Sequence, residues 1–276
     1  MIQDIFPHKL DNHFRPGQIP ANTDTVFLFS GECVLCRLRG DGIEFPHAED
    51  VKAGDGLTYL FDVDGERYFL GDGENAFVPE GYVFVPLRGL RRKNVPDKHR
   101  IFAAITARHL HEWYRTARFC GCCGQRLEPS EAERAMVCPS CGQIFYPRIN
   151  PAVIVGVTHG DYLLLTRYAG RRLSSYALVA GFTEIGETLE ETVAREVKEE
   201  TGLFVTNIRY YKSQPWGYAA DILAGYYCDV AGDPTIRMDA NELKEAVWMA
   251  RAEIPGQADD FSLTNEMMCA FRDGLV

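Results

Sequence analysis

The chain lacks any long apolar run, and no stretch approaches the roughly eighteen apolar residues that mark a membrane span. It also lacks an N-terminal segment with the basic start and apolar stretch of a signal peptide. A cytoplasmic protein with no membrane partner is therefore expected. Positive charge is in deficit as well: 29 Lys and Arg stand against 39 Asp and Glu, a net charge of −10. That balance argues against a protein whose main task is gripping a nucleic-acid backbone, although a polyanion could still bind locally. There is no internal repeat and no low-complexity tract, which excludes solenoids and long disordered linkers. What remains is an ordinary globular composition, 46% hydrophobic and 25% charged over 276 residues, long enough for two cores and a small insert.

Nine cysteines in a chain of this kind suit metal ligation or burial better than a disulfide framework. Cys120-Gly-Cys-Cys123-Gly124 and Cys138-Pro-Ser-Cys141-Gly142 are two CxxCG turns with fourteen residues between the inner cysteines. Such turns aim two thiolates each at one ion, and four thiolates in tetrahedral array make a structural zinc site, closed to water and substrate. Cys120, Cys123, Cys138 and Cys141 are the expected zinc ligands, one ion per chain, with redox-active dithiols as the alternative. Cys122 reads as a spare thiol. Cys33 and Cys36 form a CxxC without a second pair nearby and read as structural thiols in a strand. His109 and His111, two apart on a helix, point to different faces and make a poor metal pair.

Residues 1 to about 95 read as β-rich, with a strand over Thr25–Ser30, a hairpin of 57–63 and 66–70 about Asp64-Gly65, and a strand near 82–87. A helix is expected from Pro96 or Asp97 to Thr116. Further strands are expected at 151–157, 162–168, 176–180, 204–213, 222–230 and 247–249, and a closing helix at 262–271.

Gly181 to Leu203, GFTEIGETLEETVAREVKEETGL, holds seven glutamates. Thr188 and Glu191 form a capping box, Leu189, Val193 and Val197 make an apolar stripe, and Gly202 ends the pattern, so a helix is expected from about 189 to 201. Glu196, Glu199 and Glu200 share one face of it. A solvated helix face would explain such charge, but a hard divalent cation, magnesium or manganese, is the usual reason to gather carboxylates beside a cleft.

Gly181, five residues, Glu187, seven residues, then Arg195-Glu-Val-Lys-Glu-Glu-Thr-Gly-Leu203 resembles the Nudix box at every fixed position. The resemblance implies an α/β fold: a C-terminal Nudix α/β/α sandwich with a mixed sheet over residues 148–276, behind a β-rich N-terminal domain (1–116) and a four-cysteine zinc ribbon (117–147). It also implies metal-dependent hydrolysis of a nucleoside diphosphate linked to another moiety. The ribbon, Tyr146-Pro-Arg148, the box and Ser213-Gln-Pro-Trp216 together resemble the NAD-diphosphatase (NADH pyrophosphatase) family. That family cleaves NADH or NAD to nicotinamide mononucleotide and AMP, and RNA carrying NAD at its 5′ end is a further expected substrate.

By this resemblance the magnesium or manganese ligands are Glu196, Glu200, Glu242 and the backbone carbonyl of Ala180. Glu199 belongs to the cluster, while Glu187 and Arg195 fix the loop–helix geometry by an ion pair. Phe182, Tyr146 and Trp216 are the candidate ring-stacking surfaces, with Gln214, Pro215 and Tyr218 completing the substrate side. The family is dimeric, so a homodimer is expected. One segment departs: the family continues past the tryptophan as Pro-Phe-Pro-x-Ser, whereas this chain has Gly217-Tyr-Ala-Ala-Asp221. Hydrolysis of ADP-ribose or other nucleoside diphosphate derivatives is therefore one alternative, and a non-catalytic zinc-ribbon nucleotide sensor is another.

Overall fold

The computed structural model describes residues 1–51, 56–91, 95–169, 175–257 and 260–276. The chain divides into two compact units, one made of Gln3–Arg148 with Gly217–Ala220, the other of Met1–Ile2, Ile149–Trp216 and Asp221–Val276.

The unit that begins at Gln3 carries strands β1 (Leu10–Asp11), β2 (Thr25–Phe27), β3 (Phe29–Ser30), β4 (Cys33–Arg39) and β5 (Gly42–Glu44), the short helix α1 (Ala48–Val51), then β6 (Thr58–Val63), β7 (Glu66–Leu70) and β8 (Val83–Pro86). They form one sheet in the order β1-β6-β7-β2 and another in the order β3-β4-β5 with β8 on β4. The single strand expected over Thr25–Ser30 is split at Leu28: β2 runs parallel to β7, and β3 runs antiparallel to β4. The reason lies in the run Val26-Phe-Leu-Phe29, every member of which is buried. With no polar face to hold it in one sheet, it passes between two. The β6–β7 hairpin turns on Asp64-Gly65 as expected.

Helix α2 (Lys98–Thr116) follows, with Ile101, Phe102, Ile105 and Trp113 on its buried side. Asp97, at its N-terminus, makes no side-chain cap bond; its carboxylate accepts from the Ile43 N–H at 2.9 Å instead. The ribbon strands β9 (Glu128–Pro129), β10 (Met136–Val137) and β11 (Ile144–Phe145) complete this unit. The ribbon is tied to the N-terminal sheet through Arg134, which donates to the Leu60 carbonyl at 2.8 Å. Cys36 is fully buried in β4, and burial pushes its thiol up to about 11, consistent with a structural residue. His109 reaches the Arg148 carbonyl while the His111 ring lies against Phe29, so the two histidines do separate.

The other unit is built on β12 (Asn150–His159), β13 (Tyr162–Tyr168), β14 (Val179–Phe182), helix α3 (Leu189–Thr201), β15 (Phe204–Trp216), β16 (Asp221–Ala231), β17 (Leu243–Ala250) and helix α4 (Leu263–Arg272). Its six-stranded sheet runs β15-β16-β12-β13-β17, with β14 also on β12. The sheet is mixed, since β12 and β16 are parallel and the other pairings antiparallel. Side-chain alternation along the strands sorts the core into two layers. Val153, Val155 and Leu164 pack with Val193 and Val197 of α3, while Ile154, Leu163 and Leu165 pack with Met267, Met268 and Phe271 of α4. This is an α/β/α sandwich. The strand expected to stop at Ser213 continues to Trp216, so Ser-Gln-Pro-Trp lies on a strand; β15 is an edge strand, where Pro215 is tolerated.

Candidate active site and zinc ribbon

Helix α3 is fixed at both ends by its sequence. Thr188 Oγ1 accepts from the Glu191 N–H at 3.2 Å and Glu191 Oε2 accepts from the Thr188 N–H at 2.8 Å, while Gly202 closes the helix in the left-handed region. Upstream, β14 brings Ala180 and Gly181 alongside the helix. A Cβ on Gly181 would lie 1.9 Å from the Glu196 carboxyl carbon, so only glycine lets that carboxylate sit over the strand.

Arg195 organises the loop before the helix. It holds Glu187 through Nε at 2.5 Å and Nη2 at 2.9 Å, and it also donates to Glu196 Oε1 at 2.7 Å, Glu199 Oε2 at 3.0 Å and the Phe182 carbonyl at 2.9 Å. The guanidinium holds the Glu187 carboxyl down at about 2. Glu187 further accepts from the Glu184 N–H and the Thr192 hydroxyl, each at 3.0 Å.

Glu200 is of a different kind. It is only 1% exposed, and no cation pairs with it among the ion pairs of the described residues. Burial pushes its carboxyl up to about 8; the Tyr168 hydroxyl acts in the opposite direction, and the charges of Glu196 and Glu242 raise it further. Glu196 is also raised, first by burial, with Glu199 and Glu242 adding to the effect against Arg195. Glu242 reaches this cluster from far along the chain because its loop is pinned to the last turn of α3: Arg237 N–H donates to the Thr201 carbonyl at 2.8 Å and Asp239 N–H to the Glu200 carbonyl at 2.9 Å.

Tyr168 was not among the expected site residues. Its hydroxyl lies 3.2 Å from Glu200 Oε1 and 3.4 Å from the Ala180 carbonyl oxygen, the two groups expected to share an ion. Its signal was the period of β13: Leu164 faces α3, and four residues on Tyr168 faces the same way.

The expected substrate residues are distributed. Phe182 is 54% exposed at the end of β14, and Trp216 is half-buried opposite Asp221 at the end of β15, with Pro215 exposed beside it. Gln214 is a correction. It is fully buried, its amide nitrogen donates to the Phe261 carbonyl at 2.7 Å, and its oxygen accepts from the Leu263 N–H at 2.7 Å. It caps α4 against β15, which removes it from any ligand surface. Asp221 is buried and accepts from Asn150 Nδ2 at 3.4 Å. Tyr146 and Tyr218 belong to the unit that holds the ribbon; Tyr146 is exposed and its hydroxyl donates to Glu133 at 2.9 Å.

In that unit the four ligand cysteines converge. All four sulfurs lie within 4.8 Å of one another, with Cys120–Cys141 and Cys123–Cys141 at 3.6 Å and Cys123–Cys138 at 3.4 Å. Thiolates about 2.3 Å from a tetrahedral zinc stand about 3.8 Å apart, so the donor set fits that ion. The two turns are built alike. Gly124 N–H donates to Cys120 O and Gly142 N–H to Cys138 O, each at 2.9 Å, with both glycines at positive φ. Cys122 is exposed outside this set.

Residues 115–146 match the NADH pyrophosphatase zinc ribbon domain, and residues 147–268 match the NUDIX domain. The NAD-capped RNA hydrolase NudC of Salmonella schwarzengrund is 42% identical over 216 residues, 77% of this chain and 80% of that protein. The chain belongs to the zinc-ribbon Nudix hydrolase family. NudC of Klebsiella pneumoniae (strain ATCC 700721 / MGH 78578) is 35% identical over 217 residues, 78% of this chain and 81% of that protein. The match to NudC of Enterobacter sp. (strain 638), 42% identical over 147 residues, spans 53% of this chain and 56% of the relative, little more than half its length. No helix among the described residues of this Nudix chain is long and apolar enough to cross a membrane.

Proposed function

We propose that this protein hydrolyses the diphosphate of NADH or NAD, free or as the 5′ cap of RNA, to release nicotinamide mononucleotide and AMP or the 5′-monophosphate RNA. The observation that carries this reading is the buried Glu200 carboxyl, set against Glu196, Glu242 and the Ala180 carbonyl without a cationic partner of its own. Buried like charges are costly unless an ion or proton joins them, and an all-oxygen donor set suits a hard divalent cation. Glu196, Glu200, Glu242 and the Ala180 carbonyl would hold magnesium or manganese, which when bound neutralises phosphate oxygens and helps generate the attacking hydroxide.

The chain's own residues do the rest. Arg195 locks Glu187, Glu196 and Glu199 into one array, so the carboxylates are placed before substrate arrives. Tyr168 holds the orientation of Glu200. Glu199, 60% exposed, is placed to orient water at the edge of the cluster. Phe182 and Trp216 offer aromatic faces for the rings of the dinucleotide. The four cysteines hold a zinc ion that is structural, because all its positions are filled by protein. The relatives named for NAD-capped RNA support the substrate class, and a cytoplasmic homodimer completes the reading.

A second reading has one observation in its favour. Gly217-Tyr-Ala-Ala-Asp221 stands where the family carries two prolines and a serine, and that different surface beside Trp216 favours admission of ADP-ribose and related nucleoside diphosphate derivatives. The test is a panel of NADH, NAD, ADP-ribose, diadenosine polyphosphates and NAD-capped RNA under one magnesium concentration, with products identified. NADH is expected to exceed ADP-ribose in kcat/KM by about tenfold to a hundredfold, and Trp216→Ala should narrow that gap. If a substrate without nicotinamide wins by the same margin, the NAD reading falls while the Nudix chemistry stands.

A further inference from the structure

Residues 87–93 read Leu-Arg-Gly-Leu-Arg-Arg-Lys and place four cations within six positions of a chain whose net charge is −10. Two of them, Arg88 and Arg91, are among the described residues. Arg88 is exposed on the turn Leu87–Leu90, which is anchored by its buried leucines and by the Leu87 N–H donating to the Glu32 carbonyl at 3.0 Å.

In the same compact unit lies the segment Gly217–Ala220, the one that departs from the family pattern. It is seated closely on α2, where a Cβ at Gly217 would come within 2.5 Å of the Ile105 carbonyl oxygen. That seat carries Tyr218 to the arginines. The Arg88 guanidinium carbon stands 4.9 Å from the Tyr218 ring centroid and that of Arg91 stands 5.9 Å from it. Cation–π contact with one fixed ring orders both guanidinium groups, and an ordered guanidinium binds phosphate oxygens in a bidentate manner without first losing much side-chain freedom.

We propose that Arg88 and Arg91, held by Tyr218, bind backbone phosphates of the RNA that follows an NAD cap. This rests on the reading of NAD-capped RNA as a substrate and names the part of the chain that tells capped RNA from free dinucleotide. The acidic remainder of the protein favours this occupant, because an excess of negative charge elsewhere confines a polyanion to the basic segment.

The test is fluorescence anisotropy of a labelled 5′-NAD oligoribonucleotide without added magnesium, as a function of salt, together with steady-state hydrolysis of NADH. Arg88→Gln with Arg91→Gln should weaken RNA binding by about tenfold to a hundredfold, and should reduce the slope of log K against log salt by about 1.4, or about 0.7 for each of two phosphates. Arg88→Lys with Arg91→Lys should restore most of the salt slope, which counts charge, but little of the affinity, because an ammonium cannot reproduce the bidentate, ring-ordered contact; kcat/KM for NADH should stay within about twofold of wild type. RNA affinity and salt slope that do not change in the glutamine variant would overturn the proposal. An equal loss on NADH would also overturn it, by making the arginines mere supports of the Tyr218 segment. Anionic vesicles that outcompete the RNA for the wild type but not for the variant would transfer the patch to a membrane surface. Binding is read without turnover, so failure of the wild type to cleave NADH would defeat the proposed activity while the anisotropy still decides the patch.

Discussion

The four-cysteine site and the glutamate cluster are both gatherings of potential anions, yet they are built in opposite ways. The cysteines come from two copies of one local turn, and their sulfurs already converge within 4.8 Å. Backbone N–H groups lower the thiols of Cys120 and Cys138, those of Cys123 and Cys141 respectively acting most strongly; at Cys123 and Cys141 backbone N–H groups act the same way, but hydrogen bonds with the neighbouring sulfurs raise the thiols overall. The carboxylates come from one helix and a distant loop, and burial raises Glu196 and Glu200 instead of stabilising their charge. Among the described residues, only the cysteines converge to that degree. A closed array of four thiolates suits a permanent structural ion, and a set of buried carboxylates open to a cleft suits an ion that arrives and leaves with substrate.

The largest effect should come from breaking the first site. Cys138→Ser removes one of four thiolates from a site whose zinc affinity in comparable small modules corresponds to about 10–16 kcal/mol. The expected outcome is loss of zinc by elemental analysis with unfolding of the ribbon, read as a lower Tm and reduced solubility. Stoichiometric zinc in the variant would show that the cysteines are not jointly required.

Breaking the second site should leave the fold and remove the activity. Glu200→Gln keeps the shape and the Tyr168 contact while deleting the charge, and kcat should fall about 10²–10⁴-fold, or about 3–5 kcal/mol of transition-state stabilisation. In the metal-free protein the same change should raise Tm slightly, since a buried ionisable group is replaced by a neutral one. Activity retained at saturating magnesium would mean that the metal centre lies elsewhere.

Gly181→Ala should cost less. The new methyl meets the Glu196 carboxyl group, which must turn away or force β14 from α3, at a cost of about 1–3 kcal/mol. The expected signature is a weaker apparent magnesium affinity with a small change in Tm. An unchanged magnesium requirement would free Glu196 from its assigned role.

The same contrast explains what the sequence made legible. The ribbon and α3 were readable because each is specified by neighbours: CxxCG at fixed spacing, a capping box, a C-terminal glycine. The arrival of Glu242 could be expected only by family resemblance, because it depends on hydrogen bonds from Arg237 and Asp239 to the last turn of α3, thirty-six or more positions away from their acceptors in sequence. Tyr168 was missed and Gln214 misassigned for a related reason. A motif reports which residues recur together but not how deeply each one lies, and Gln214 is buried against the start of α4 while Trp216 ends the strand half-buried. The split of Thr25–Ser30 was hidden because a run buried on every side has no periodicity to read.

The effect that is smallest per step, taken one pH unit at a time, is the pH dependence of Glu200, and its sign separates the two sites. Glu200 has its carboxyl pushed up to about 8 by burial, from an ordinary value of 4.5. Between those values the metal-free native state holds a proton that the unfolded chain has released. Its contribution is therefore fully present below about pH 4.5 and is lost as pH rises through about 8. Metal-free protein should become less stable across that window, and Glu200→Gln should flatten the slope. A divalent ion must displace the same proton, so apparent magnesium affinity should rise with pH by up to about tenfold per unit, or ~1.4 kcal/mol, and level off above the carboxyl's own value. Tm with and without magnesium, measured on the wild type and the glutamine variant, decides it. A magnesium affinity that is flat from pH 6 to pH 8 would mean that Glu200 is already ionised without the metal, and the contrast between a permanent ion and an exchanging one would then need another physical basis.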